Sequence, residues 1–194
     1  MNTEVSTSQM NLIVEAAGAT IQAIVDAINA PPTLPGIYPG DPPVNNPSHR
    51  ADWLIRYPAL VDLNVVSPIS SARRETTVEN IDRWPWCGFL IDDALPDPRA
   101  TGEEHFLGNL VCLIGAESEV FSMSLQEIYE VHDNVRSVLL LDKSLGEISR
   151  LGGVIDHIRW RRFTVPVFDE LMMREPTMLI RSEYEIAFQE VVYR

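Results

Sequence analysis

The densest set of side chains able to do chemistry is acidic. Asp92, Asp93, Asp97, Glu103, Glu104 and His105 lie close together along the chain. Carboxylates and an imidazole are donors that a divalent cation accepts. A pair of carboxyls across a cleft is also what acid–base cleavage of a glycoside requires. The stretch nevertheless has the composition of a connection, with Pro96, Pro98 and Gly102 among the charges. Charged connections are commonly just solvated. Residues 92–105 are therefore read as a wet acidic link, with a small metal-dependent enzyme as the alternative.

The second set is basic. Arg159-Trp160-Arg161-Arg162 is the densest cationic run in the chain. Period-two alternation sends Ile158 and Trp160 one way and His157, Arg159 and Arg161 the other. Such arginines grip a phosphate or pair with carboxylates of a neighbouring strand or subunit. The second use is expected, and Arg159, Arg161, Arg162, Glu183 and Glu185 are the candidates for contacts between subunits. The chain has no glycine-rich phosphate loop, zinc-type Cys/His spacing or nucleophile elbow, so no cofactor is expected. Cys87 and Cys112 sit in apolar runs and read as buried free thiols. His132 falls on a helical apolar stripe and reads as a core or interface histidine. His49, His105 and His157 have no partner at ligand spacing.

The elements that must carry these residues follow from periodicity. Ile13, Ala17, Ile21, Ile24 and Ile28 recur at helical steps, so residues 6–29 are expected to be a helix. Pro31-Pro32 stops it, since proline lacks the amide donor. Residues 31–48, rich in Pro, Gly and Asn, are expected to form an arm that docks on another subunit or protein. Val61, Leu63 and Val65 alternate with Asp62 and Asn64, which predicts a strand near 60–66. Further strands are expected at 86–91 and 106–114. A second helix over 124–141 opens on the capping-box pair Ser124 and Glu127, with Leu125, Ile128, Val135 and Leu139 on its inner stripe. Strands at 154–165 and 178–192 close the chain, the latter setting Ile180, Tyr184, Ile186 and Phe188 against Arg181, Glu183, Glu185 and Gln189.

Strand blocks separated by a helix predict a single α+β domain spanning residues 1–194: a mostly antiparallel sheet packed by two helices, with the proline-rich arm. The 194 residues suffice for a core without staples. No uninterrupted apolar run reaches the ~18 residues of a membrane helix. The start of the chain lacks the basic and apolar regions of a signal peptide, so a protein made in the cytoplasm is expected. A formal net charge of -13 disfavours nucleic acid as a standing partner.

The order of elements is itself familiar. A long N-terminal helix precedes a strand group. A later helix ends in Leu-Leu-Leu-Asp-Lys-Ser-Leu-Gly (139–146), a Gly-Gly turn leads to the next strand, and the final strand reads Glu-Tyr-Glu-Ile-Ala-Phe-Gln-Glu-Val-Val-Tyr (183–193). This resembles the tail terminator, or tail completion, proteins of long-tailed bacteriophages and their neck relatives, chiefly over residues 120–194. The segments 31–48 and 92–104 are longer than a minimal member needs, which leaves two readings: the terminator itself, or another head-to-tail adaptor of the neck. The resemblance implies a ring, typically of six copies, that caps the tail tube, halts its growth and joins it to the head connector. It implies a virion component assembled in the host cytoplasm, with the tail tube and neck proteins as partners. DNA would meet it only in passage. It implies no membrane partner, no cofactor and no enzyme activity.

Overall fold

The computed structural model describes residues 7–29, 47–66, 85–97, 105–117, 121–146, 155–164 and 177–189. Helix α1 spans Thr7–Asn29 and helix α2 spans Pro47–Arg56. A 3-10 turn, Pro58–Leu60, leads to the two-residue strand β1, Asn64–Val65. Strands β2 (Trp86–Pro96) and β3 (His105–Glu117) precede helix α3 (Phe121–Leu141). Strands β4 (His157–Thr164) and β5 (Thr177–Gln189) complete the order.

The five strands form one sheet in the order β1-β2-β3-β5-β4. Every pairing is antiparallel except β1 with β2. The fold is thus α+β with a mostly antiparallel sheet, as the spacing of apolar residues predicts. Pleating gives the sheet two unlike faces. One carries Cys87, Phe89, Phe106, Leu110, Cys112, Ile114, Ile180, Tyr184, Ile186 and Phe188, all buried in one core with the apolar sides of α1 and α3. Each such aliphatic or aromatic side chain stabilises the fold by about 1.5–3 kcal/mol on burial. The predicted stripe of α1 is fully inside, with Ile13, Ala17, Ile21 and Ile24 at 0% exposure. Of the residues predicted for the core, Leu125 and Trp160 are half-buried against it and the rest are inside.

Several boundaries differ from expectation. The predicted strand at 60–66 is mostly a turn: Pro58 starts the 3-10 helix and only Asn64 and Val65 pair with Trp86 and Cys87. Proline's fixed φ favours that tight turn over extended backbone. Residues 47–48, assigned to the arm, belong to α2; residues 31–46 lie outside the described residues. Helix α3 begins at Phe121, so Ser124 sits inside its first turn rather than capping it. Strand β2 runs on to Pro96, which makes Asp92 and Asp93 strand residues instead of loop residues. By length and composition Gln9–Asn29 is apolar enough to cross a membrane, against the expectation that no apolar run is long enough, although two charges interrupt it. Glu15 and Asp26 are the interruptions, and they lie on the exposed side of a helix whose other side fills the core.

Two features fix local geometry. Trp86 and Gly115 face each other across β2 and β3 on the outer side of the sheet. A Cβ at Gly115 would collide with the Trp86 indole, which is 1% exposed. After α3 the chain turns through Leu145, whose φ of 55° is left-handed although it is not glycine. Leu145 is wholly buried, and its amide donates to the Asp142 carbonyl at 3.0 Å. Its burial offsets the ~1–2 kcal/mol that an L-residue pays in that conformation. Asp142, 2% exposed, accepts a hydrogen bond from the Ser144 hydroxyl at 3.2 Å.

Candidate functional site

The second face of the sheet gathers the charges that the sequence singled out. Strand β4 follows simple alternation to Trp160, paired with Tyr184, and then slips by one residue so that Arg162 pairs with Glu183. Arg161 is the extra residue of a bulge. A bulge inserts one residue without a cross-strand partner and re-aims those after it. Its effect is that Arg162 joins Arg159 on the outer face while Phe163 turns in toward α3. There Phe163 meets the His132 ring at a centroid distance of 4.9 Å.

The arginines pair with carboxylates of the adjacent strand, within one chain. Arg161 pairs with Glu185. Arg162 donates to Glu183 through Nε at 3.0 Å and Nη2 at 3.4 Å. Glu183 Oε1 also accepts from Arg181 Nε at 3.1 Å, and Arg181 in turn pairs with Asp92. A second bulge in β2, between Ile91 and Asp93, aims Asp92 toward this chain of charges. The result is a ladder, Asp92–Arg181–Glu183–Arg162, reaching from β2 across β3 to β5 and β4. The Arg162 hydrogen bond holds the Glu183 carboxyl below its ordinary range; burial opposes this and Arg181 adds to it. All five predicted contact residues therefore lie on one face. Arg159 is set opposite Glu185 in register, and it makes no ion pair among the described residues. Sequence reasoning missed the part of Arg181 and Asp92, which meet through the bulge in β2.

The acidic segment does not converge. Asp92 is committed to Arg181, and Asp93 stands opposite Asn109. His105 lies four residues from Asn109 along β3, or about 13 Å at strand rise. Among the described residues no group of three or more His, Cys, Asp or Glu side chains is placed to hold a metal ion. Glu103 and Glu104 lie outside the described residues. A shallow cavity of about 340 Å³ opens beside Asp93, Leu95, Leu107, Arg161 and Glu185.

The inner face holds a polar chain that the sequence did not disclose. His132 Nε2 lies 3.1 Å from Ser182 Oγ, and His132 Nδ1 lies 3.3 Å from the Asp133 carboxylate. Trp160 Nε1 donates to the same Ser182 oxygen at 3.3 Å. One tautomer satisfies all three: Nδ1–H donates to Asp133, the Ser182 hydroxyl donates to Nε2, and the indole N–H donates to Ser182. A serine, histidine and aspartate in line are the parts of an acyl-transfer triad. Here Ser182 is 0% exposed and His132 2%, under Trp160 and Phe163. The hydroxyl has no open side from which a substrate carbonyl could approach, so the chain serves to satisfy buried polar groups. Burial lowers the His132 pKa; Asp133 opposes that shift and Arg136 reinforces it. Arg136 also lies over the Trp160 ring, 5.0 Å from its centroid.

Among the described residues the fold is α+β, with helices packed on one face of the sheet and the ion-paired residues gathered on the other. The chain matches no protein-family model, and no curated protein gives a significant match.

Proposed function

We propose that this protein is a structural component of a bacteriophage neck, a tail terminator that forms a ring, caps the tail tube and joins it to the head connector. It acts without catalysis or cofactor. The reading rests on the resemblance of residues 139–146 and 183–193. The observation that supports it most is how the fold uses the described part of those residues. Residues 139–146 make the corner after α3, with Leu139 and Leu145 in the core and Asp142 buried inside the turn, while Leu141 and Lys143 face out. Strand β5, between β3 and β4, carries core side chains inward and the ion-paired Glu183 and Glu185 outward. The described residues that carry the likeness thus contribute both to the core and to the ion-paired face.

Negative-stain electron microscopy of the purified full chain, with light scattering for mass, tests this. Closed rings with a central channel, formed alone or on purified tails that lack their terminator, are expected. A chain that stays monomeric and leaves such tails uncapped removes the reading.

A further inference from the structure

The sheet ends in two edges of opposite charge. On one side β1 covers β2 only at Trp86 and Cys87. Beyond these, Asp92, Asp93, Leu95 and Pro96 are exposed, and no described strand pairs with their free side. At the other end β4 is the last described strand, and Arg159, Arg161, Arg162, Phe163 and Thr164 are exposed. Leu95 is 60% exposed and Phe163 38%, which leaves apolar surface on both edges. Asp93 and Arg159 make no ion pair among the described residues, so each edge keeps one uncommitted charge of its own sign.

An unpaired edge presents a row of backbone donors and acceptors and is a template for another strand. Charge decides which strand. Two β4 edges would set arginine against arginine, and two β2 edges aspartate against aspartate. Only β2 against β4 brings opposite charges together, and facing opposite charges favour a strand pair whereas like charges oppose it. Direction agrees. Three successive antiparallel pairings separate β2 from β4, so these two strands run in opposite senses. Rotation about an axis parallel to the strands preserves that sense. It therefore sets β4 of one copy antiparallel beside β2 of the next, with the ion-paired faces continuing along one wall. Such a contact is heterologous, and it closes into a ring when the rotation closes.

From this we infer that the partner at these edges is a second copy of the chain: residues 92–96 of one copy add to β4 of the next, with Asp93 and Arg159 among the charges that select the pairing. The inference rests on the ring reading above and assigns its contact.

Charge exchange tests it on the full chain. Asp93→Arg and Arg159→Asp each create like-charged edges, so each alone should weaken self-association about tenfold or more, read by sedimentation across a concentration series in dilute buffer. An equimolar mixture should recover assembly, because each variant's altered edge then meets the complementary edge of the other. Circular dichroism melts establish that each variant is folded. Should either reversal fail to fold, Asp93→Asn and Arg159→Gln replace them, and weaker association than wild type, with a reduced dependence on added salt, is the supporting result. If wild type assembles and the reversals assemble equally well, or the mixture recovers nothing, the edge contact is wrong while the ring stands. If wild type assembles neither alone nor on tails, the ring reading falls and takes the edge contact with it.

Discussion

At the scale of single residues, the structure turns on groups that sequence could name but not connect. His132 was legible as a core or interface histidine because it falls on the apolar stripe of a helix. Its partner Ser182 was not, since the two are fifty positions apart and serine has no periodic signature. Ser182→Ala removes an acceptor for Trp160 and a donor for His132 at a wholly buried point. It should cost about 1–3 kcal/mol in denaturant titration. The same cluster sets a pH dependence. Burial depresses the folded pKa of His132 below the unfolded value of about 6.5. Stability from the neutral ring is therefore complete above that value and is lost as pH falls through the folded pKa. Glu183, also depressed, contributes stability that is present above about 4.3 and is lost as pH falls further. Unfolding free energy measured against pH should show both declines. His132→Gln should remove the upper one and Glu183→Gln should diminish the lower. Leu145 gives a sharper residue-scale expectation, because its left-handed φ inverts the usual order of truncations. Leu145→Ala keeps the strain and loses the burial, about 2–5 kcal/mol. Leu145→Gly loses the burial but releases the strain, so its melting temperature should be no lower than that of the alanine variant.

At the scale of elements, long periodic segments were legible and short ones were not. The stripes of α1 and α3 and the alternation of β5 reflect wide contact with one core, so their pattern survives in the sequence. Helix α2 escaped because it begins at Pro47, immediately after a proline- and asparagine-rich stretch, and proline reads as a breaker although the first helical position tolerates it. The strand expected at 60–66 shrank for the opposite reason: alternation was present, but Pro58 set a turn. The bulge in β4 was likewise invisible, since Arg-Trp-Arg-Arg alternates plausibly until Arg162. That bulge makes Arg161 an inserted residue. Deleting it should leave Arg162 facing out and Phe163 facing in, with only the exposed Arg161–Glu185 pair lost. A change within about 1 kcal/mol is expected by chemical denaturation. Gly115→Ala, by contrast, forces a methyl group into the buried Trp86 indole and should cost about 1–3 kcal/mol.

At the scale of the whole molecule, the formal charge of -13 meets a face on which most arginines are already paired. Binding to DNA draws its free energy from cations that displace counterions from phosphate. The excess of 28 acidic over 15 basic side chains, with Arg161, Arg162 and Arg181 already paired on the sheet, opposes that exchange, so retention on double-stranded DNA at near-physiological salt should be negligible in a filter or mobility assay. The proposed ring would call for the same property, because a wall that grips phosphates slows what moves along it. Assembly through oppositely charged edges should respond to salt in the familiar direction, weakening as ionic strength rises and the Debye length shortens. Architecture at this scale was legible in its class and in the five described strands, though two helices were expected and three are present among the described residues. The joining of distant charges into one surface was not, because it arises from two one-residue slips in register.

The two thiols offer a way to watch the sheet come apart. Cys87 and Cys112 lie on neighbouring central strands, both at 0% exposure, and burial, with Cys87 beside it, drives the Cys112 thiol well above its ordinary pKa. A neutral, enclosed thiol is inert toward an alkylating reagent. Modification therefore waits on an opening of the β2–β3 pair, and its rate converts directly into the free energy of that opening. The protein carries a built-in reporter of its own breathing, already paired with the strand whose far edge is the one assigned to the neighbouring copy. Alkylation should slow as copies join, at a concentration that matches the appearance of rings.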